Sequence, residues 1–398
     1  MKKIERISNL ERQYINEVLD GQFTSANNYR FVTRLEKEFA ERFNTKYAIA
    51  MVNGTVTLHA ALEAAGVSEG DEVIVPSLTM SSTNMSVLFA NAIPVFADIN
   101  PDTWTISVED IKRKITTRTK AIIPVSIYGL PTDIDAIMDI AKEYSITVIE
   151  DDAQCFLGYY KGRVAGSTAH MSSFSFQASK HITSGEGGIV TTNDPELAVK
   201  LRRFSGLGYG SIGLDKGRIS KDDIQSPTYE RHIMMGWNYR PSDLCGAVAL
   251  AQLQRLDELV EIRKIAAEHL KEAIKGFEWL MPQATPEGYV NSYWTLAIRL
   301  DTNKVTWKDF RNKFKELGGH GIYSAWMLGY LEPMYRNQAF MGREKIIARY
   351  GDYKYSRGLC PVAEDLQPRL LQFKTNYWDE ADAIEQAIIL KKTAQFFD

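Results

Sequence analysis

The sequence predicts an α/β protein with a mainly parallel sheet, helices on both of its faces, and a smaller C-terminal α+β lobe. Three observations predict it. Between residues 47 and 192, short β-branched or apolar runs alternate with helical stretches, the βαβ pattern that builds a parallel sheet covered on both sides. At 398 residues the chain exceeds what one hydrophobic core usually serves, so two lobes are expected. After a long helical stretch the pattern changes to a strand that alternates between two faces, a helix and a closing amphipathic helix. The expected division is a large domain at 1–250 and a small one at 251–398.

Residues 47–52, 72–75, 94–97 and 121–125 read as strands, with helical runs at 56–65, 82–90 and 134–144. The segment 147–154, Thr-Val-Ile-Glu-Asp-Asp-Ala-Gln, is a strand that ends in acids. Two apolar strands follow at 171–176 and 188–192, then a helix at 195–204 that opens on proline, a favoured first helical residue. Residues 205–234 show no period. They are first glycine-rich (Gly206, Gly208, Gly210, Gly213) and then basic (Lys216, Arg218, Lys221, Arg231), which suits either an anionic ligand or a solvated loop. One helix is expected at 242–275, ended by Gly276. In the small lobe 292–300 alternates as a strand, 307–317 is helical, and 379–393 closes the chain as a helix.

Lys180 is the most informative residue. It stands in Phe174-Ser-Phe-Gln-Ala-Ser-Lys180-His-Ile-Thr-Ser-Gly-Glu-Gly-Gly188, between two apolar strands. A flexible, strongly hydrated side chain is an odd choice there unless its ammonium must lose a proton and attack a carbonyl, which desolvation and nearby positive charge favour. The plain alternative is a lysine in a glycine-rich hairpin. Asp151, at the carboxyl end of its strand, lies where an open α/β sheet has its ligand crevice. Pyridoxal phosphate needs such a pair, a lysine for the Schiff base and a carboxylate to keep the ring nitrogen protonated. As an alternative, Asp151 or Asp152 caps a following helix. A third element, Asn53-Gly54-Thr55, joins a strand to a helix, whose free N–H groups make an anion site suited to a phosphate. Asn53 equally serves as an N-cap, and Ser175 either adds a hydroxyl to the phosphate site or is an inert strand serine.

These motifs together resemble the fold-type-I aminotransferases of the DegT–StrS sugar aminotransferase family. The resemblance rests on Asn53-Gly54-Thr55, on Glu150-Asp151-Asp152-Ala153-Gln154, on the stretch from Phe174 to Gly188, and on Gly236-Trp-Asn238-Tyr-Arg240. It extends from about Gly21 to the last helix. It implies that Lys180 forms the Schiff base with pyridoxal 5'-phosphate and later shuttles protons, that Asp151 pairs with the ring nitrogen, and that Gln154 lies near the ring hydroxyl. Gly54, Thr55 and Ser175 would hold the phosphate, and Asn238 would reach it from a partner subunit, which makes the active unit a homodimer with shared sites. Where the family places an aromatic ring over the cofactor, this chain has Met80, a softer stacker or plain core. A His-Tyr-x-x-Leu-His stretch common in the family's small domain is replaced by Ile322-Tyr-Ser-Ala-Trp326-Met-Leu-Gly-Tyr330. Related dehydratases carry histidine in place of the lysine. Here Lys180 holds the position and His181 follows it, which favours transamination.

Composition suits such an enzyme. A net charge of −3 and the lack of a dense basic stripe argue against nucleic-acid binding. The three cysteines, Cys155, Cys245 and Cys360, form no Cys-x-x-Cys pair, so buried free thiols are expected and no metal site is. The start, Met1-Lys-Lys-Ile-Glu-Arg, lacks the apolar core of a signal peptide, and no apolar run reaches spanning length, so the expected location is cytosolic. The reading is an aminotransferase moving an amino group, from glutamate by resemblance, to a nucleotide-linked keto sugar. A free keto sugar acid or cyclitol as substrate, or a non-catalytic regulatory protein on the same fold, are the alternatives.

Overall fold

A computed structural model describes residues 1–24, 30–214 and 225–398. The N-terminal helices α1 (Asn9–Asp20) and α2 (Arg30–Arg42) precede the large sheet. Its elements follow as β1 (Tyr47–Met51), α3 (Gly54–Ala64), β2 (Glu72–Pro76), α4 (Ser81–Phe89), β3 (Ile93–Ala97), α5 (Val108–Lys114), β4 (Thr119–Ile122), α6 (Ile134–Tyr144) and β5 (Thr147–Asp151). A short hairpin, β6 (Tyr159–Tyr160) and β7 (Arg163–Val164), leads to β8 (Met171–Ser175), β9 (Gly188–Thr192) and α7 (Pro195–Ser205).

The seven strands lie in the order β1-β9-β8-β5-β4-β2-β3. All neighbours from β3 to β8 are parallel, whereas β9 is antiparallel to both β8 and β1. The chain returns beside β8 through the Lys180 segment, residues 176–187, which holds no helix.

Strand alternation sorts the residues between the two faces. Met51, Val73, Val75 and Ile149 join α3, α4 and α7 in one core. On the other face, Ala48, Ala50 and Phe174 meet α2, while Ile74, Ile122 and Val148 meet α6. The expected helix-covered, mainly parallel sheet is therefore present, and Asp151 shares the parity of Ile149 on the α3–α4 side.

The second lobe is an antiparallel sheet in the order β10 (Leu280–Pro282), β12 (Thr295–Leu300), β14 (Leu370–Lys374), β13 (Ile322–Ser324). Helices Leu256–Ala273, Trp307–Glu316 and Glu380–Phe397 cover it, with Leu270, Phe310, Phe314 and Leu390 in its core. Strand β11 (Tyr289–Val290) pairs instead with β6. Residues such as Leu328, Tyr330, Phe340 and Cys360 return to the core of the large sheet.

Three expectations change. The single helix at 242–275 is two helices, Asp243–Gln254 and Leu256–Ala273. They part at Arg255, whose φ of −108° and ψ of 10° leave the helical range while its guanidinium bonds Glu11 at 2.8 Å. We propose the boundary between the lobes at this break, close to the 250/251 division. Strand β4 ends at Ile122 rather than Val125, where Pro124 has no N–H to continue the ladder. The strand expected from 292 begins at Thr295, after Tyr293 with φ +49°.

Cys155 and Cys360 are buried, Cys245 is partly buried, and all three are free. Lys216, Arg218 and Lys221 lie outside the described residues.

Candidate active site

The carboxyl ends of β1, β2, β5 and β8 and the first residue of β9 meet at one edge of the sheet. A cavity of about 550 Å³ lies there, lined among others by Gly54, Thr55, Met80, Asp151, Gln154, Ser175 and Lys180. Seven of the eight site residues expected from sequence thus share one cavity. Asn238 does not line it. Its side chain is exposed, and its backbone bridges Gly206.

The turn at Asn53 is built by close approach. Asn53 caps α3, its Oδ1 accepting the N–H of Val56 at 3.0 Å, so the amides of Gly54 and Thr55, the first two residues of α3, stand at the open helix end. A Cβ on Gly54 would lie 2.8 Å from the Cβ of Ser175, and one on Gly188 would lie 2.7 Å from the Asn53 carbonyl carbon. Both glycines are needed for the helix end, Ser175 and β9 to come together. Gly185, with φ +82°, supplies the turn that returns the chain after Lys180.

Asp151 is 5 % exposed. Its Oδ2 accepts the hydroxyl of Thr83 at 2.8 Å, and its Oδ1 accepts the N–H of Ala153 at 3.2 Å. Burial raises its proton affinity, while Thr83, the Ala153 amide and the Lys180 charge hold it back. No helix follows β5, so neither Asp151 nor Asp152 is an N-cap. Asp152 points to the opposite side of the strand, where Oδ1 accepts from Ser126 at 2.6 Å and Oδ2 has no partner.

The Lys180 ammonium lies 4.7 Å from the centre of the Trp294 ring. Burial pulls its pKa down to about 8, against the attraction of Asp151 and with help from the positive charge of Arg263. An amine in that range gives up its proton near neutral pH, as a carbonyl-attacking lysine must.

Gln154 is buried, and its Oε1 accepts the N–H of Tyr128 at 2.8 Å. That bond holds Tyr128 in the left-handed region at φ +63°, a conformation costing about 1–3 kcal/mol for such a residue. The rest of the Gln154 carboxamide is left for the cavity. Met80, 45 % exposed, stands at the start of α4 on the cavity wall.

Sequence reasoning did not single out Thr83, Trp294 or Arg263. Thr83 sits on α4 as an ordinary helix residue. Trp294 was legible only as part of a strand, and Arg263 only as a charge within a long helix. A second cavity of about 770 Å³ adjoins the first through the shared wall of Ser179, Trp294 and Trp326, and carries Arg311 and Lys374.

Residues 5–371 match the family model described as the DegT/DnrJ/EryC1/StrS aminotransferase family. The chain is 37 % identical over 288 residues to a GDP-perosamine synthase of Escherichia coli O157:H7, covering 72 % of this chain and 74 % of that protein. It is also 37 % identical over 321 residues to a GDP-perosamine synthase of Caulobacter vibrioides, covering 80 % and 81 %. Among solved structures, an aminotransferase from Psychrobacter cryohalolentis superposes with a TM-score of 0.84 at 28 % identity, covering 96 % of each chain.

Proposed function

The chain belongs to the DegT/DnrJ/EryC1/StrS aminotransferase family, and we propose on that basis that it moves an amino group from glutamate to a nucleotide-linked keto-deoxysugar. It is a pyridoxal-phosphate-dependent sugar aminotransferase. The observation that carries the assignment of residues is the single cavity in which Lys180, Asp151, Gln154, Ser175 and the Gly54–Thr55 helix end converge from separate segments.

The residues present fit the cofactor. Asp151 is a buried carboxylate whose hydrogen-bond partners among the described residues are Thr83 and the Ala153 amide, which suits a protonated ring nitrogen. The open amides of Gly54 and Thr55, with the Ser175 hydroxyl held close by the bare Gly54, suit a phosphate. When bound, pyridoxal phosphate supplies an electron sink that acidifies the donor Cα. Lys180 Nζ, as a free amine, accepts that proton and later returns one to the sugar carbon that receives nitrogen, acting as base and then acid. Asp151 would hold the protonated ring nitrogen. Trp294 and Trp326 wall the cavity beside Lys180.

The substrate follows the relatives. Both are GDP-perosamine synthases, so a GDP-linked keto sugar whose amination yields GDP-perosamine is the first to test. Incubating the purified enzyme with glutamate and a panel of nucleotide-linked keto sugars, free keto sugar acids and keto cyclitols, read by mass spectrometry, checks this. The expected result is amination of a GDP-linked member with release of 2-oxoglutarate. Amination of a free acid or cyclitol alone would transfer the assignment to that class, and no turnover with any would favour a regulatory role.

The assembly is part of the same reading. Asn238 is exposed and outside the cavity of its own chain, on a segment with exposed Met235 and Trp237, which supports a homodimer in which it serves a neighbour. Among the described residues no helix is long and apolar enough to cross a membrane. A cytosolic location is part of this proposal.

A further inference from the structure

The Lys180 turn is held by two arginines that no catalytic step uses. Three successive carbonyls are engaged. Arg6 donates to the Ala178 oxygen, and Arg263 Nη2 donates to the oxygens of Ser179 and Lys180, both at 3.0 Å. Ser179 O also accepts the indole N–H of Trp294 at 2.9 Å. The other arm of Arg263, Nη1, donates to the Trp294 carbonyl at 2.9 Å, and that carbonyl also accepts the Thr375 hydroxyl at 3.0 Å. One guanidinium on helix Leu256–Ala273 therefore ties the cofactor lysine, the strand entry at Trp294 and the chain after β14 into one network.

Arg263 is 1 % exposed, and its Nε has no partner. Among the described residues no carboxylate pairs with it, and the charge that acts on it most is another cation, Arg6. A buried charge without a counter-ion is costly. In place of a counter-ion the charge has three carbonyls and the Trp378 ring, whose centre lies 5.8 Å from the guanidinium carbon.

We propose that Arg263 is a positioning residue for the reaction: its planar fork clamps the Ser179–Lys180 backbone to the Trp294 carbonyl and sets a positive charge against the backbone of the cofactor lysine. Its fork matches two carbonyls on one side and one on the other, which a lysine ammonium cannot do. The charged groups acting on the Lys180 amine are Asp151 on β5, Glu186 in the following turn and Arg263. The two acids favour the ammonium, and Arg263 is the cation that opposes them. Neighbouring His181 is buried with Nε2 on the Ser292 carbonyl and is driven towards its neutral form.

The inference rests on the assignment of Lys180 as the cofactor lysine. The test is a pH titration of the visible absorbance of the cofactor-loaded enzyme, which reads the proton on Lys180 Nζ, together with kcat and KM. Arg263→Gln should raise the midpoint by roughly one pH unit, because a cation beside the nitrogen is gone. Arg263→Lys keeps the charge, so its midpoint should stay near wild type while kcat falls at least tenfold, by roughly 1.4 kcal/mol of lost orientation, with KM for the donor little changed. A folded Arg263→Gln enzyme with an unmoved midpoint overturns the proposal, as does Arg263→Lys with wild-type kcat. If the glutamine variant does not fold, the lysine variant decides alone. Wild-type protein with no visible band would instead undo the assignment of Lys180 itself.

Discussion

Lys180 Nζ lies 4.7 Å above the Trp294 ring, and the Trp294 indole N–H is bonded at 2.9 Å to the carbonyl of Ser179, the residue just before the lysine. The ring both places the lysine and stabilises its charged form, a contact worth about 0.5–2 kcal/mol. Trp294→Leu should therefore lower the pH midpoint for acetylation of Lys180 in cofactor-free protein, by roughly half a unit to one unit. Trp294→Phe, which keeps a ring, should lower it less. Peptide mapping across pH reads the midpoint, and an upward shift in the leucine variant would contradict the contact.

Asp151 and Asp152 are neighbours with opposite surroundings, one facing the cavity and one on Ser126. Asp151→Asn should lower kcat roughly ten- to hundredfold, the range for a lost hydrogen bond to a charged group. Asp152→Asn should stay within a few-fold of wild type. Steady-state kinetics that gave the reverse order would exchange the two roles.

Glu150 lies on the Asp152 side of β5. Burial pushes its pKa up to about 7, and Asp152 rises well above its ordinary value through burial and the Glu150 charge. A carboxyl whose folded value exceeds its unfolded value binds more protons when folded. Its contribution to stability is thus full below about pH 4.5 and is lost as pH rises through about 7. Thermal melts at about pH 5 and about pH 7.5 should show a smaller loss for Glu150→Gln than for wild type. Parallel losses in both proteins would place the effect elsewhere.

The sheet and the cofactor cavity were legible because they rest on local signals. Period-two strands, the Gly54 turn and the Gly185–Gly188 return each state their geometry within a few residues. What decided between Asp151 and Asp152 was strand parity, which the sequence carries once β5 is placed. The break at Arg255 was not legible, since it depends on Glu11, far away in the chain. The same holds for Arg263 and Trp294, whose partners lie on the Lys180 turn more than eighty residues earlier. Contacts of that range leave no pattern in one sequence.

The exposed Asn238 gives a test of assembly. Inactive Lys180→Ala chains mixed with inactive Asn238→Ala chains should recover part of the wild-type activity, because a mixed dimer holds one site free of both lesions. Chains that exchange subunits yet never recover activity, or a fully active monomer in sedimentation, would contradict the shared site.

The most direct measurement is reduction of the cofactor-loaded enzyme with borohydride, followed by peptide mapping. The account predicts that the cofactor is fixed to Lys180, and that Lys180→Ala binds it without covalent attachment and loses turnover by roughly 10²-fold or more. A label on any other lysine, or a Lys180→Ala enzyme that turns over normally, would contradict it.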